Sequence, residues 1–298
     1  MCAVVLKQIV TSHLARKTPQ VSTRLYHRII NDNYIPNRIL YNRVTKCGSR
    51  TLKEIISHLE RKNNFHFYKS PVNNLIRPPP SELTRETKLI YNLSTPSLYT
   101  RHIHYIDFTK YGLENPTYIN VVRDPIERFS SQFHFKRRFI DFTNSLNLEH
   151  VKWKSYENKD MNINDCIIKN HLECSTKQLW YIVPYFCGQD EMCQHPSNES
   201  LQQAIANVER HYLFVGILED FKGTLQVFER LLPGYFAGGT KIGMRLQNAL
   251  HEKTKTLKKD AITPKAYGLL KSRMSLEYKF YDFIAQRFNA TKSLLKLT

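Results

Sequence analysis

The stretch RILYNRVTKCGSRTLKEIISHLERK, residues 38–62, decides the fold that we predict for this chain. Residues 38–44 are mostly apolar and predict a short strand, and residues 45–50 form a polar turn around Lys46. From Thr51 onward the apolar residues recur with helical spacing, at Leu52, Ile55, Ile56 and Leu59. A strand, a tight loop and a helix N-terminus can together bind an anion through backbone N–H groups. An ordinary βα turn with a surface lysine is the alternative, because the Walker pattern is absent.

A second strand and helix repeat this arrangement. Residues 117–123 are almost continuously apolar and predict a buried parallel strand, and the following Asp-Pro-Ile-Glu run is typical of a helix start. Arg123 lies at the end of this strand and Ser131 about two turns into the helix, so both could bind one anion. Alternatively, Arg123 pairs with Asp124 or Glu127 and the serine only packs. Two anion sites at the carboxyl ends of parallel strands suit a nucleotide with two separated phosphates.

The remaining pattern alternates strands with helices and predicts an α/β fold with a central parallel β-sheet flanked by helices. Further strands are expected at residues 65–68, 88–93, 102–108 and 212–217. Helices are expected at residues 124–139, 162–171, 175–183, 199–210, 219–232 and, with a break near Ser272, 264–288. Two exposed loops are expected, a proline-rich one at residues 71–84 and a mobile basic one at residues 238–262.

The composition indicates a globular and strongly basic chain. Its 298 residues are 41% hydrophobic and 12% aromatic, which suffices for a large core. The formal net charge of +18 favours a polyanionic partner, such as nucleic acid, an acidic membrane surface or an acidic polysaccharide. Charge alone does not choose among these partners.

The cysteines favour an oxidising compartment. Cys2 and Cys47 are isolated. The other four cysteines form two closely spaced couples, Cys166 with Cys174 and Cys187 with Cys193. Two short disulfide loops are favoured over a metal site because no CxxC pair is present. His171 and His195, which lie near these cysteines, keep a Cys/His metal site as the alternative.

Three N-glycosylation sequons, at Asn92, Asn198 and Asn289, also indicate the lumen of the secretory pathway. Residues 1–37 are basic, lack a sustained period and are predicted to be a stem or arm, followed by one domain over residues 38–298. The apolar run of this arm is too short for a membrane span and weak as a signal peptide. Either an anchor lies upstream of this chain, or the cysteines are reduced and the sequons unused.

Four motifs in order make a family resemblance specific: YNRVTKCGSRTL (41–52), HIHYIDFTKYG (102–112), YINVVRDPIERFSSQF (118–133) and KQLWYIVPYFCGQDEMC (177–193). The chain resembles the heparan sulfate and uronyl 2-O-sulfotransferases, including the insect Pipe proteins, over roughly residues 38–290. The resemblance implies a P-loop-like sulfotransferase fold and PAPS (3′-phosphoadenosine 5′-phosphosulfate) as sulfuryl donor, with no metal. It also implies the two disulfides of the cysteine couples.

The resemblance assigns roles to individual residues. His102 matches the catalytic base, whose imidazole titrates in a useful range, and His104 is its local rival. Arg43 is a candidate contact for an acceptor carboxylate or sulfate, with a surface ion pair as its alternative role. Lys46 is also expected to stabilise the leaving phosphate. The 5′-phosphosulfate loop corresponds to Lys46, Cys47, Gly48, Ser49, Arg50 and Thr51, and the 3′-phosphate pair to Arg123 and Ser131.

The chain also departs from the family pattern. Cys47 and Arg50 stand where the family often has small hydroxylic residues, and Thr100 replaces a second histidine. The basic segment 241–259 has lost close identity to the family's donor-covering segment. Beyond Phe135 the substrate side does not align, so the basic run 136–138 either binds an acidic glycan or complements a helix dipole.

We therefore predict a uronyl 2-O-sulfotransferase of the Golgi lumen that acts on an acidic glycan, linked to a proteoglycan or another glycoprotein. The resemblance extends to a homotrimer and to a Golgi-membrane anchor that this sequence does not contain. A catalytically impaired relative that only binds polyanionic glycan is the second hypothesis, motivated by the altered donor loop. A nucleic-acid binder is suggested by charge alone and explains neither the cysteine couples nor the ordered motifs.

Overall fold

A single parallel sheet organises the computed structural model, which describes residues 36–72, 75–145, 160–254 and 260–297. Within these residues five strands pair in the order β2-β3-β1-β4-β5, and every pairing is parallel. The strands are β1 Arg38–Asn42, β2 His66–Lys69, β3 Ser97–Arg101, β4 Thr117–Val122 and β5 Tyr212–Ile217. The predicted α/β fold is confirmed, and the strand predicted at residues 117–123 is present as β4, which ends one residue earlier and has almost all of its side chains buried.

Helices cover the sheet because their apolar stripes must be buried against it. The helices are α1 Ser49–Lys62, α2 Pro80–Tyr91, α3 Pro125–Ser145, α4 Ile163–Ile168, α5 Thr176–Leu179, α6 Ile182–Cys187, α7 Asn198–His211, α8 Phe221–Leu231, α9 Pro233–Phe236, α10 Gly239–Thr254, α11 Pro264–Arg273 and α12 Ser275–Leu294. The predicted break near residue 272 is confirmed, since α11 ends and α12 begins there. Among the described helices, none is both long and apolar enough to cross a bilayer.

A buried polar network fixes α6 against the centre of the sheet. The side-chain amide of Asn42, fully buried on β1, donates to the carbonyl oxygen of Tyr185 at 3.1 Å. The Asn42 oxygen accepts hydrogen bonds from Asn120 on β4 and from Tyr212 on β5, each at 3.0 Å. Because buried polar groups are costly unless paired, this network specifies how the strands and α6 meet.

Both predicted disulfides are present. Cys166–Cys174 joins α4 to the turn that follows it, and Cys187–Cys193 closes the chain after α6. Cys47 is a free, buried thiol, as expected. The expected free Cys2 and most of the predicted stem, residues 1–35, lie outside the described residues.

Two predicted strands are wrong. Residues 88–93 belong mostly to helix α2, whose buried residues Leu83, Thr87 and Ile90 have helical spacing. Its proline start was predicted as loop, but proline is tolerated in a first helical turn. The strand predicted at residues 102–108 lies earlier, at β3. Residues 102–107 leave the sheet, and the amides of His104 and Tyr105 bind loop and helix carbonyl oxygens instead.

The predicted loop at residues 238–262 is also wrong over most of its length, because helix α10 occupies Gly239–Thr254. Residues 255–259 are outside the described part of the chain. A Cβ atom at Gly243 would lie 2.3 Å from a methyl carbon of Leu225 on α8. The glycine therefore permits close packing of two helices, and it does not mark a flexible segment.

Candidate active site

The loop of residues 45–48 joins β1 to α1 in a conformation that exposes a helix N-terminus. Lys46 and Gly48 both have left-handed backbones, with φ of 66° and 75°. A Cβ atom at Gly48 would lie 2.6 Å from a Leu218 methyl carbon, so this position requires glycine. The first amides of α1 have no intrahelical partner and carry the positive end of the helix dipole. We call residues 45–51 the donor loop; a helix N-terminus of this kind suits an anion.

Lys46 contributes a cation to this loop. Its Nζ lies 3.8 Å from the ring centroid of Phe135 on α3, which brings the donor loop and the second strand–helix unit together. Lys46 belongs to the motif at residues 41–52, and Phe135 lies two residues beyond the motif at residues 118–133. A lysine on an aromatic face remains chargeable and can turn towards an anion, because its stem is flexible.

Cys47 faces the interior and not the ligand side of the loop. Its side chain is fully buried, and its thiol donates to the carbonyl oxygen of Thr45 at 3.7 Å. Burial raises the pKa of Cys47 to about 12, although the nearby Arg128, Arg123 and the Arg123 backbone amide act in the opposite direction. The thiol is therefore neutral, and it connects the donor loop to the end of β4.

Arg123 and Ser131 lie where the sequence places them, around the start of α3. Asp124 caps this helix, because its carboxylate accepts the Glu127 amide at 3.0 Å. The alternative pairing of Arg123 is present: its guanidinium donates to Glu127 at 2.9 Å, with the glutamate side chain 55% exposed. An exposed pair of this kind contributes little, so an incoming phosphate can replace Glu127. Ser131 is buried on the second turn of the same helix.

His102 is held as a neutral imidazole. Its Nδ1 lies 2.8 Å from the carbonyl oxygen of Arg43, which can only accept a hydrogen bond. The proton of the neutral ring therefore lies on Nδ1, and Nε2 keeps its lone pair. Burial, together with the positive charges of Arg43 and Lys53, lowers the pKa of His102 to about 4.

A cluster of cations surrounds this histidine. The pKa of Lys53 is lowered by burial and by the charges of Arg43, Lys69 and Arg50. Burial also lowers the pKa of Arg43, which is 5% exposed. Mutually repelling cations at one edge of a sheet favour a polyanionic ligand. Lys53 and Lys69 were missed by the sequence analysis; the spacing of three residues from Arg50 on α1 was a signal for Lys53.

The rival histidine, His104, is part of the core. Its ring is 2% exposed, packs 4.9 Å from the Tyr185 ring and contacts the Gly188 carbonyl oxygen at 3.3 Å. Burial lowers its pKa to about 3. His104 and His102 lie in different environments, because the chain has left the sheet at these residues and its side chains no longer alternate between two faces.

Arg128 was not predicted from the sequence, yet it lies beneath the donor loop. Its side chain is 1% exposed, and its Nε and Nη1 have no hydrogen-bond partner among the described residues. A buried guanidinium with unsatisfied donors adds positive charge under the site. Of the basic run after Phe135, Arg137 binds Glu173, and the side chain of Arg138 is outside the described residues. The three sequon asparagines are all exposed.

The parallel register brings these groups to one edge. Asn42 at the end of β1 pairs with Arg101 at the end of β3, and β4 runs beside β1 in the same direction. The residues that follow these strand ends are Arg43, His102 and Arg123. The carboxyl edge of a parallel sheet is the usual ligand site of such folds. The structure therefore brings three basic side chains, one of them a neutral histidine, to the edge of the sheet where such folds bind ligands.

Comparison with known proteins gives the family. Residues 26–284 match the Sulfotransferase family, and the chain belongs to this family. It is 39% identical to human uronyl 2-sulfotransferase over 262 residues, which are 86% of this chain and 64% of that protein. The mouse uronyl 2-sulfotransferase is 39% identical over 267 residues, covering 88% of this chain and 65% of that protein. Mouse heparan sulfate 2-O-sulfotransferase 1 is 30% identical over 261 residues, which are 84% of this chain and 70% of that protein.

These matches confirm the predicted family, and the parallel sheet described above is consistent with the fold expected of that family. The chain spans slightly less than two thirds of the length of the uronyl 2-sulfotransferases that it matches, at 64% and 65%.

Proposed function

We propose that this chain is a sulfotransferase that moves a sulfuryl group from PAPS to the 2-hydroxyl of a uronic acid in an acidic glycan. The observation that carries the proposal is the environment of His102, a neutral imidazole with a free Nε2 beside a cluster of cations. The names of the similar proteins, uronyl 2-sulfotransferase and heparan sulfate 2-O-sulfotransferase 1, support this acceptor class.

The residues of the site fit an anionic nucleotide donor. Arg128 offers a supporting observation, because its buried guanidinium adds positive charge near the donor loop and its Nε and Nη1 have no hydrogen-bond partner among the described residues. The buried carboxylate of Glu277 lies near enough to balance part of this charge. Lys46 and the amides of residues 47–51 would hold the 5′-phosphosulfate, and Arg123 with Ser131 would hold the 3′-phosphate. PAPS supplies the activated sulfuryl group when it is bound. Lys46 adds positive charge where the leaving phosphate becomes more negative.

The acceptor side follows from the same cluster. Arg43, Lys53 and Lys69 would bind carboxylate and sulfate groups of the glycan and place its hydroxyl near His102. Nε2 of His102 would then accept the hydroxyl proton during the attack. Because two of these cations are partly desolvated, their attraction for an anion is stronger than that of exposed lysines.

Cys47 bears on the hypothesis of an impaired relative. This departure from the family pattern faces the core as a neutral thiol, so it leaves the ligand side of the donor loop to backbone amides. Arg50 adds a cation beside the anion site. We therefore retain sulfuryl transfer, and not binding alone, as the proposed function.

A Golgi-lumen location is part of the proposal. Two disulfides are typical of an oxidising compartment, and exposed sequon asparagines are accessible to glycosylation. A homotrimer and a Golgi-membrane anchor stay predictions from the resemblance.

The experiment is transfer of radiolabelled sulfate from PAPS to a panel of glycosaminoglycans and glycoprotein acceptors, with the labelled position determined after digestion. We expect label at the 2-position of a uronic acid, with loss of transfer in His102→Ala. His66→Ala, which changes an exposed histidine on β2, is the matched control and should transfer normally. Label confined to amino-sugar positions, or binding of PAP (3′-phosphoadenosine 5′-phosphate) without transfer to any acceptor, would overturn the proposal.

A further inference from the structure

Tyr181 connects the donor loop to the interior of the protein. Its hydroxyl lies 2.6 Å from the hydroxyl of Thr45, the residue directly before Lys46. The sequence assigned no role to Tyr181, although this residue lies in the motif at residues 177–193. We propose that Tyr181 is a positioning residue that holds the donor loop in its anion-binding conformation. The inference rests on the proposed function only for the identity of the anion, PAPS.

The donor loop needs such support. Lys46 adopts a left-handed backbone with φ of 66°, which is unfavourable for a residue with a Cβ atom. Such conformations persist where surrounding contacts determine them. Thr45 directly precedes Lys46, and its side-chain hydroxyl forms a hydrogen bond with the hydroxyl of Tyr181. This hydrogen bond can fix the start of the turn.

The backbone of Tyr181 is itself fixed by a buried carboxylate. Glu277 on α12 is 1% exposed and accepts the amides of Tyr181 and Ile182 at 2.9 Å each, and that of Val183 at 3.1 Å. These amides lie at the start of α6, where N–H groups have no intrahelical partner. Burial raises the pKa of Glu277, whereas these three hydrogen bonds act against that rise. The backbone of Tyr181 is therefore fixed independently of the contact between its hydroxyl and the donor loop.

The ring of Tyr181 is held on its face by Arg128. The guanidinium carbon of Arg128 lies 3.9 Å from the ring centroid, which is a cation–π contact in a desolvated place. The neighbouring Tyr185 ring lies 5.6 Å away. The charge of Arg128 also acts against the rise in the pKa of Cys47, so Arg128 lies close to the donor loop as well. Arg128, Tyr181 and Thr45 thus form one connected support beneath the anion site.

The test is a double-mutant cycle with Tyr181→Phe and Thr45→Val, each of which removes one hydroxyl and keeps the shape. PAP binding is measured by calorimetry, and sulfate transfer is measured with donor and acceptor varied separately. We expect each single variant to bind PAP roughly 2- to 12-fold more weakly, the range for one neutral hydrogen bond. The double variant should be no weaker than the weaker single variant, because both lose the same contact. The KM for the acceptor should not change.

Tyr99→Phe is the matched control. The Tyr99 hydroxyl, on β3, donates to Glu86 at 2.6 Å, so this variant also removes one tyrosine hydrogen bond, in a side chain more buried than Tyr181. Because the partner of Tyr99 is a carboxylate, the variant should lower thermal stability at least as much as Tyr181→Phe does, and it should leave PAP affinity unchanged. A structural role of Tyr181 alone would make the two tyrosine variants behave alike.

Amide hydrogen exchange of residues 45–48 without ligand separates this inference from the proposed function. Faster exchange in both single variants, and no further increase in the double variant, supports the positioning role even if the native protein binds no PAP. In that case only the proposed donor is wrong. Unchanged exchange in Tyr181→Phe, PAP affinity equal to that of the native protein, or effects of the two substitutions that multiply in the double variant would overturn the positioning role.

Discussion

Nδ1 of His102 lies 2.8 Å from the carbonyl oxygen of Arg43. This contact joins the residue after β3 to the residue after β1, and it fixes both the orientation and the tautomer of the imidazole. Nε2 is then the nitrogen available to a substrate proton. Burial is the main cause of the low pKa of this ring, and the charge of the Arg43 side chain lowers it further. Arg43 therefore both orients the imidazole and helps to keep it neutral.

The first prediction concerns the pH dependence of transfer. The pKa of His102 is lowered to about 4, so the base is unprotonated above that pH and becomes protonated below it. We expect kcat/KM to stay level from neutral pH to about pH 5 and to fall as the pH passes through about 4. Initial rates measured from about pH 3 to pH 8, with circular dichroism at each pH to confirm that the protein stays folded, give the midpoint. A midpoint near 6.5, the ordinary histidine value, would contradict the buried and cation-flanked environment.

Arg123→Ala should weaken PAP binding. A hydrogen-bonded guanidinium–phosphate contact contributes about 1.5–3 kcal/mol, which corresponds to a roughly 10- to 150-fold loss of affinity by calorimetry. Glu127→Gln removes the present partner of Arg123 and provides the control, since affinity should then be equal or higher. If Arg123→Ala binds PAP like the native protein, the proposed 3′-phosphate site is wrong.

Lys46→Ala should affect turnover more than PAP affinity. The charge of Lys46 is most useful while the leaving phosphate develops, and the backbone amides of the donor loop remain to bind the product. Parallel measurements of kcat and of PAP dissociation decide this. An equal loss in both would mean that Lys46 contributes only to ground-state binding.

Acid should destabilise the fold through His104. Burial lowers its pKa to about 3, so between pH 6.5 and 3 the unfolded chain binds a proton that the native protein does not. Stability therefore falls as the pH decreases through this interval, by at most about 1.4 kcal/mol per pH unit for one proton. Urea unfolding at pH 6.5 and 5 should show a smaller loss for His104→Asn, by up to about 2 kcal/mol. The same loss in both proteins would contradict a buried neutral His104.

Local sequence signals predicted the parts of the fold that local physics determines. The strand and helix around the donor loop, the capped start of α3 and the two disulfides follow from apolar spacing, N-cap residues and cysteine spacing. Segments whose conformation depends on distant partners were predicted wrongly. Gly243 by itself favours the prediction of a loop, but in the structure it allows helix α10 to pack closely on Leu225. The histidine-rich segment alternates like a strand, but its amides bind outside the sheet.

The candidate site divides in the same way. His102 and Arg123 could be proposed from the sequence because the resemblance assigns them roles, and Arg123 also lies at the end of a predicted strand. Lys69, Arg128 and Tyr181 could not, since their relation to the site arises from the sheet register and from helices far away in the chain. In the strand expected at residues 102–108, His102 and His104 would face the same side, whereas the structure separates them.

The measurement that tests the account most directly is sulfate transfer from PAPS by His102→Ala, beside its PAP affinity and circular dichroism spectrum. A positioned general base contributes roughly 100- to 10,000-fold, so turnover should fall by about that factor while the fold and PAP binding persist. A folded His102→Ala protein that binds PAP and still labels the uronic 2-position at near-native rate would remove His102 from the mechanism and contradict the account.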